Sequence, residues 1–205
     1  MNTWVFLRHG ESTANRARQL SGWEDVALTA LGRAQARDAG RALWAEGLCF
    51  DRVLSSDLVR AHDTATLALE AYVAHGGGPP PPIELDGRLR ERNMGRYQGA
   101  SYDAMREAGI MARMITWSQR PPGGESHADL ARRVVGALAA HEAAGVSGSV
   151  LFVAHGGVIR TLLGLLDGEP RTEIGKAHVA NATPLRRAVG DGAWQALFAE
   201  LEPEG

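Results

Sequence analysis

The chain contains a single cysteine, Cys49, among its 205 residues. A lone cysteine excludes an intramolecular disulfide framework and is typical of a reducing compartment, so we expect a cytoplasmic protein. The chain also lacks any apolar run near the roughly 20 residues of a membrane helix, and its polar first residues argue against a signal peptide. Its formal net charge of −2 gives no basic footprint for nucleic acid. We therefore expect neither nucleic-acid nor membrane partners.

The composition that remains is typical of a globular protein, because 44% of the residues are hydrophobic and 22% are charged. This length predicts one domain that spans residues 1–205. Apolar strand-like segments alternate with segments of helical periodicity, which indicates an α/β fold. The expected architecture is a three-layer αβα arrangement with a mainly parallel central sheet that helices cover on both faces.

The predicted elements follow from apolar periodicity and from capping residues. We predict strands at 4–7, 83–85 and 148–153 and within 52–57, and helices at 29–47, 58–72, 102–117 (interrupted at Gly109), 128–144 and 158–166. Residues 181–183 and 194–198 are predicted to form two antiparallel edge strands, and such an edge could support a homodimer. Three glycines and four prolines make residues 76–82 an irregular loop.

Three apolar strands end in polar groups and turn directly into helices. The first ends in Arg8-His9-Gly10, the second in Ser55-Ser56 with Arg60 one turn later, and the third in His155-Gly156-Gly157. If these strands are neighbours in a parallel sheet, their carboxyl ends meet at one edge, where ligands of open α/β sheets bind. Arginine forks and helix N-termini favour a phosphate-like dianion at this edge.

Six blocks of sequence lie in a fixed order between residues 4 and 183. They are Leu7-Arg8-His9-Gly10-Glu11-Ser12 with Asn15, Leu28-Thr29 with Gly32 and Gln35-Ala36, Ser55-Ser56 with Leu58, Arg60-Ala61 and Thr64-Ala65, Leu89 with Glu91, Gly95 and Gly99, Pro122 with Gly124-Glu125-Ser126, and Val153 with His155-Gly156. Together they resemble the histidine phosphatase superfamily, in its phosphoglycerate-mutase-like group. The resemblance implies the fold of that group, with residues 95–125 inserted as a small helical cap over the site.

The resemblance also implies a role for each site residue. His9 would be the nucleophile that forms a phosphohistidine, and Glu91 would be the acid that protonates the leaving alcohol. The residues that would hold the phosphoryl group are Arg8, Arg60, His155, Asn15, Ser21, Gly22 and Gly156. Histidine is a recognised covalent nucleophile, and two arginines beside it should lower its pKa. Arginines can stabilise the transferring group without a metal, so we expect neither a metal site nor a cofactor.

Other residues have simpler interpretations. The histidines that match no block are expected to have surface or structural roles: His62, His75, His127, His141 and His178. Glu125 is expected to cap the long helix rather than to touch a ligand, while Trp23 and Tyr97 could either line the pocket or shield it. A phospho-ligand binding protein without activity is a further alternative, and the joint presence of a nucleophile, an acid and a second histidine disfavours it.

The expected reaction is metal-independent hydrolysis of a small phosphomonoester, and the alternative is a cofactor-dependent phosphoglycerate mutase. The loop Ser21-Gly22-Trp23 resembles the mutase form. Those mutases, however, have a tyrosine at the place of Met94, a lysine at the place of Tyr102 and paired arginines at the place of Ser118-Gln119. The chain is also expected to be shorter than such mutases. Because the cap has few cations, we expect an apolar or small neutral leaving group.

Overall fold

A computed structural model describes residues 1–201 and contains a five-stranded sheet in the order β3-β2-β4-β1-β5. The strands are β1 (Asn2–Arg8), β2 (Arg52–Ser55), β3 (Ile83–Leu85), β4 (Ser149–Ala154) and β5 (Pro184–Val189). The first four are parallel, and β5 pairs antiparallel with β1 at the sheet edge. The predicted α/β class and its mainly parallel sheet are therefore confirmed.

Helices cover both faces of this sheet. They are α1 (Thr13–Arg16), α2 (Ala30–Ala45), α3 (Val59–Ala74), α4 (Tyr102–Glu107), α5 (Ile110–Met114), α6 (His127–Ala143), α7 (Gly156–Leu166) and α8 (Ala193–Leu201). Side chains alternate along β1, so Val5 and Leu7 are buried with α2 and α3, whereas Trp4 and Phe6 are buried with α6, α7 and α8. This alternation produces the three layers.

Polar caps fix where several helices begin. Thr29 accepts a hydrogen bond from the Gly32 backbone N–H at 3.0 Å and starts α2. Ser12 and Ser126 each form a reciprocal capping box at the start of α1 and α6. Among residues 1–201, no helix has the length and apolarity that a membrane span requires.

The predicted strand at residues 194–198 is wrong, because these residues belong to α8. Trp194, Phe198 and Leu201 recur at helical spacing, and this apolar stripe packs against α6. The antiparallel edge strand is β5, at 184–189 rather than at 181–183. Over residues 194–198 alone the apolar residues suit a strand or a helix, and the helical spacing becomes clear only when Leu201 is included.

The segment that is predicted to form the cap contains two short helices, α4 and α5. Gly109 has φ = +67° and separates α4 from α5, as its glycine predicts, but α5 ends at Met114 and not at residue 117. Helix α7 begins at Gly156, two residues earlier than predicted. Its first-turn backbone N–H groups therefore lie directly after the strand end of β4, where the site is built.

Candidate active site

The three strand ends that carry polar groups are brought together. In the sheet register Arg8 of β1 lies opposite Ala154 of β4, and Ser55 of β2 lies opposite Val153 of β4. The His9 and His155 rings that follow β1 and β4 lie 5.3 Å apart between centroids. A pocket of about 500 Å³ opens at this edge of the sheet.

Most of the predicted site residues line this pocket. They are Arg8, His9, Asn15, Ser21, Gly22, Arg60 and Glu91. His155 and Gly156 do not line it, and Gly157 takes the place of Gly156 at the wall. The fully buried His155 ring instead lies next to His9, and its Nε2 is 2.8 Å from the Ser56 hydroxyl. The His155 ring therefore lies next to His9 but does not line the pocket.

His9 is oriented by a single hydrogen bond. Its Nδ1 lies 2.7 Å from the Gly10 carbonyl oxygen, which can only accept, so Nδ1 carries the proton and Nε2 keeps its lone pair. The ring is 4% exposed. Burial, followed by the charges of Arg60 and Arg8, lowers the pKa of His9 well below its usual 6.5. The imidazole is therefore neutral and able to attack at neutral pH.

Arg8 and Arg60 are held by carbonyl oxygens rather than by carboxylates. Arg8 donates from Nη1 to Val179 at 2.6 Å. Arg60 donates from Nη1 to Glu24 at 2.8 Å and from Nη2 to Gly22 at 2.8 Å. Burial lowers the pKa of Arg60 to about 10, so it stays charged at neutral pH. Two oriented cations without a carboxylate partner form a site for an anion.

Asn15 presents a donor to the same pocket. Its Oδ1 accepts hydrogen bonds from the Ser12 backbone N–H at 3.2 Å and from the Asn181 amide at 3.3 Å. Both contacts use the oxygen, so the Nδ2 amide is the group of Asn15 that can donate to a ligand.

Glu91 spans the gap between its own loop and α7. Its Oε2 accepts from the Gly157 backbone N–H at 2.9 Å and its Oε1 from the Arg92 backbone N–H at 2.8 Å. A β-carbon on Gly157 would lie 2.1 Å from Glu91 Oε1, so only glycine leaves room for this carboxyl group. The carboxyl is thus fixed at the pocket wall.

A polar network holds the loop that carries Glu91. The Trp23 indole N–H donates to the Glu91 carbonyl at 2.6 Å, and Arg133 donates to the same carbonyl at 3.1 Å. Arg133 also pairs with Glu125 at 2.7 Å, and Glu125 accepts from the Asn93 backbone N–H at 2.9 Å. Trp23 and Glu125 therefore support the loop from outside the pocket. The expectation that Glu125 caps α6 is wrong, since Ser126 is the cap.

The Arg133→Met variant is expected to lose about 3 kcal/mol of unfolding free energy, because it removes the charged partner of the partly buried Glu125 carboxylate and three loop contacts. Urea unfolding measures this loss. The matched control is Arg132→Met on the same helix, whose one side-chain hydrogen bond within residues 1–201 runs from Nε to the Leu201 carbonyl at 3.2 Å. That control should lose no more than about 1 kcal/mol. Equal losses in the two variants would contradict the proposed network.

Comparison with known proteins agrees with this geometry. The sequence profile of the histidine phosphatase superfamily (branch 1) matches residues 4–200. The chain belongs to this family. A 2,3-bisphosphoglycerate-dependent phosphoglycerate mutase of Methylobacterium radiotolerans is 36% identical over 187 residues, which cover 88% of this chain and 86% of that protein.

Solved structures of the histidine phosphatase superfamily fold are also similar. A mycobacterial glucosyl-3-phosphoglycerate phosphatase has a TM-score of 0.78 and 30% identity, and the match covers 91% of this chain and 92% of that one. The YhfR protein of Bacillus stearothermophilus has a TM-score of 0.79 and 27% identity, with 94% and 93% covered. Both a mutase and a phosphatase are thus among the relatives.

This protein is similar in length to a relative that carries the mutase name. The sequence predicts a chain shorter than cofactor-dependent mutases of the histidine phosphatase superfamily, yet the match covers 88% of this chain and 86% of the Methylobacterium radiotolerans protein. Chain length therefore does not separate the two activities in this family. The residues inside the pocket have to separate them.

Four basic residues of the pocket wall were not predicted from the sequence of this histidine phosphatase superfamily member: Arg92, His127, Arg160 and Lys176. His127 was expected at the surface or in a structural role, yet it is only 5% exposed and lines the pocket. Arg92 follows the predicted acid directly, and Arg160 lies one helical turn after Gly156. These two spacings in the sequence could have predicted that Arg92 and Arg160 lie near the site. Within the described residues 1–201, no group of His, Cys, Asp and Glu side chains is arranged to hold a metal ion.

Three buried histidines make stability depend on pH. The pKa of His127 is lowered to about 3, mainly by burial, and those of His9 and His155 are lowered well below 6.5 for the same main reason. Below pH 6.5 the unfolded chain therefore binds more protons than the folded protein. Their stabilising effect is complete above pH 6.5 and is lost as the pH falls.

We expect the unfolding free energy to fall between pH 7 and pH 5, by up to about 1.4 kcal/mol per pH unit below 6.5 for each of these histidines. Urea unfolding at several pH values measures the slope. The His127→Gln variant lacks the contribution of one histidine, so the slope of unfolding free energy against pH should be smaller by about the contribution of one histidine. His178→Gln, at an exposed histidine, is the control. A slope that His127→Gln leaves unchanged would refute this explanation.

Proposed function

We propose that this histidine phosphatase superfamily member is a metal-independent phosphomonoesterase that acts through a phosphohistidine on His9. The observation that carries the proposal is the neutral, oriented His9 ring in one pocket with Arg8, the buried Arg60 and Glu91. In this proposal the chain is one domain over residues 1–205, and residues 95–125 form its cap. Small phosphorylated substrates are typical of the family.

The proposed reaction has two steps. His9 Nε2 attacks phosphorus, the bond from phosphorus to the ester oxygen breaks, and the Glu91 carboxyl gives its proton to the leaving alkoxide. A water molecule then attacks the phosphohistidine, its proton returns to the Glu91 carboxylate, and inorganic phosphate leaves with the electron pair restored to Nε2. Arg8, Arg60 and the Asn15 amide balance the charge of the transferring oxygens in both steps.

Pocket residues support hydrolysis over mutase chemistry. Met94 and Tyr102 line the pocket at the two positions where the resemblance gives cofactor-dependent mutases a tyrosine and a lysine. A mutase must retain a strongly acidic bisphosphate while it reorients. The Met94 thioether lacks the hydroxyl donor of a tyrosine, and the Tyr102 phenol lacks the positive charge of a lysine, so both positions hold a bisphosphate less well. The structural likeness to a glucosyl-3-phosphoglycerate phosphatase supports the same choice.

A cofactor-dependent phosphoglycerate mutase is the second candidate. The observation in its favour is the 36% identity to the Methylobacterium radiotolerans mutase over most of both chains. It predicts that bisphosphoglycerate primes interconversion of 2- and 3-phosphoglycerate at a rate well above any release of phosphate.

The deciding experiment follows both activities on one preparation in the presence of EDTA. We expect steady hydrolysis of an aryl phosphate that EDTA does not reduce, and only weak interconversion of the phosphoglycerates. Strict dependence on an added metal would refute the phosphohistidine mechanism. Interconversion that exceeds hydrolysis would favour the mutase, and the absence of both activities would favour a binding protein.

A further inference from the structure

One block of the sequence, Leu28-Thr29 with Gly32 and Gln35-Ala36, has no part in the proposed reaction. All of its residues lie within the described residues 1–201, and none of them lines the pocket. The block forms the start of α2, whose first turn packs against the backbone that follows His9. The Thr29 backbone N–H donates to the Glu11 carbonyl at 2.9 Å, and a β-carbon on Gly32 would overlap the same carbonyl oxygen.

Gln35 holds the peptide group between Gly10 and Glu11. Its side-chain oxygen accepts a hydrogen bond from the Glu11 backbone N–H at 2.8 Å. The carbonyl of the same peptide group is that of Gly10, whose oxygen lies 2.7 Å from His9 Nδ1. Because a peptide group is planar, an acceptor that fixes its N–H also fixes the direction of its carbonyl. Gln35 therefore orients the Gly10 carbonyl toward the His9 ring.

Thr64 holds the peptide group on the other side of Gly10. It is fully buried in α3, and its hydroxyl oxygen accepts from the Gly10 backbone N–H at 3.0 Å. The same hydroxyl donates to the Arg60 carbonyl at 2.7 Å, so its lone pairs are free to face Gly10. Glycine has the most conformational freedom of all residues, and here α2 and α3 each hold one of its two peptide groups.

The direction of the Gly10 carbonyl matters because a neutral histidine ring has two tautomers. The hydrogen bond at one ring nitrogen decides which nitrogen carries the proton. With the proton on Nδ1, His9 keeps on Nε2 the lone pair that attacks phosphorus in the proposed reaction. A hydrogen bond to the N–H of a peptide group also polarises its carbonyl and makes it a stronger acceptor. A carbonyl that turned away would let Nε2 carry the proton, and a protonated Nε2 cannot attack.

We propose that Gln35 and Thr64 are positioning residues for the nucleophile: they hold the peptide groups of Gly10 so that its carbonyl keeps the proton of His9 on Nδ1. The effect on turnover rests on the proposed phosphohistidine mechanism. The effect on the tautomer does not depend on any reaction, so the two can be tested separately.

The first test replaces Gln35 by methionine, which has a similar length but lacks the oxygen that accepts from Glu11. We expect kcat on an aryl phosphate to fall by about 10- to 100-fold, since a misplaced attacking group is costly. The affinity for inorganic phosphate should change little, because Arg8 and Arg60 remain. Gln35→Glu keeps an oxygen at this place and should restore most of the activity. Gln195→Met, at an exposed glutamine of α8, is the matched control and should keep wild-type kcat.

The second test removes the Thr64 hydroxyl at nearly constant volume. Thr64→Val should lower kcat more than the affinity for phosphate, as Gln35→Met does, because the buried Gly10 N–H loses its acceptor. Thr64→Ser keeps the hydroxyl and should restore most of the activity. Thr66→Val makes the same change two residues further along α3, outside the pocket wall, and should keep wild-type kcat.

Nitrogen-15 NMR of protein labelled at histidine identifies the tautomer directly, and the signals of His9 are those that the His9→Ala variant lacks. We expect the wild-type ring to carry its proton on Nδ1 alone. Gln35→Met and Thr64→Val should each show a proton on Nε2 in part of the molecules, and Gln35→Glu should not.

The inference is overturned if both Gln35→Met and Thr64→Val keep the proton on Nδ1, whatever their activity. It is also overturned if Gln35→Glu is as impaired as Gln35→Met, since that result would mean a general effect on packing. If the wild type hydrolyses no ester, the proposed function fails, and the tautomer alone then decides on the positioning role.

Discussion

The His9→Ala variant is expected to lose hydrolysis of an aryl phosphate by at least about 10³-fold in kcat. The reason is that the imidazole supplies the bond to phosphorus, and the hydrogen bond of 2.7 Å from Nδ1 to Gly10 points to Nε2 as the attacking atom. Arg8 and Arg60 remain in the variant, so the affinity for inorganic phosphate should change far less than kcat. Steady-state kinetics and a calorimetric phosphate titration separate these two effects.

The control for this prediction is His178→Ala, because that histidine is exposed and does not line the pocket. It should retain wild-type kcat. Rapid quenching of the wild type in base during turnover should also yield a protein heavier by one phosphoryl group, and His9→Ala should yield none. Hydrolysis at the wild-type rate by His9→Ala would show that the nucleophile is elsewhere.

The convergence of the site could be predicted because it follows from local signals and one topological rule. Apolar runs followed by Arg8-His9, by Ser55-Ser56 and by His155-Gly156 mark strand ends, and parallel neighbours bring such ends to one edge. The sheet register confirms that these strands are neighbours. The helix start at Thr29 was equally local, since its hydroxyl caps its own helix.

What the sequence did not reveal depends on contacts between distant segments. His127 begins α6 and lies at the pocket wall, where the loop at Gly175 packs against it. His155 follows a strand as predicted, yet its ring is buried and has Ser56 and His9 as neighbours. Residues 194–198 alone do not separate strand from helix, and the apolar stripe that continues to Leu201 and packs against α6 identifies α8.

The loop that carries Glu91 is also held by contacts from distant segments, and these contacts matter for catalysis. Its sequence lacks periodicity, which is typical of a loop, but the contacts that hold the loop cannot be predicted from it. Trp23 and Arg133 donate to the Glu91 backbone carbonyl, and the backbone N–H of Gly157 donates to the carboxyl group; the three come from distant segments. A residue whose backbone and carboxyl group are both held can deliver a proton along one direction, which is what a general acid requires.

The Glu91→Gln variant is therefore expected to lose about 10²- to 10⁴-fold in kcat on an alkyl phosphate and less than about 10-fold on an aryl phosphate. An alkoxide is a poor leaving group without a proton, whereas a phenolate with electron-withdrawing substituents leaves as the anion. The amide keeps an oxygen that can accept from the Gly157 backbone N–H but has no acidic proton to give. Steady-state kinetics on both esters measures the difference.

A second variant moves the carboxyl group without changing its chemistry. In Gly157→Ala the new β-carbon would lie 2.1 Å from Glu91 Oε1, so the carboxyl must leave its present position. This variant should also lose more activity on the alkyl than on the aryl ester, because a misplaced acid fails in the same way as an absent one. Equal losses on the two esters in Glu91→Gln would mean that Glu91 holds the loop and α7 together and that another group protonates the leaving oxygen.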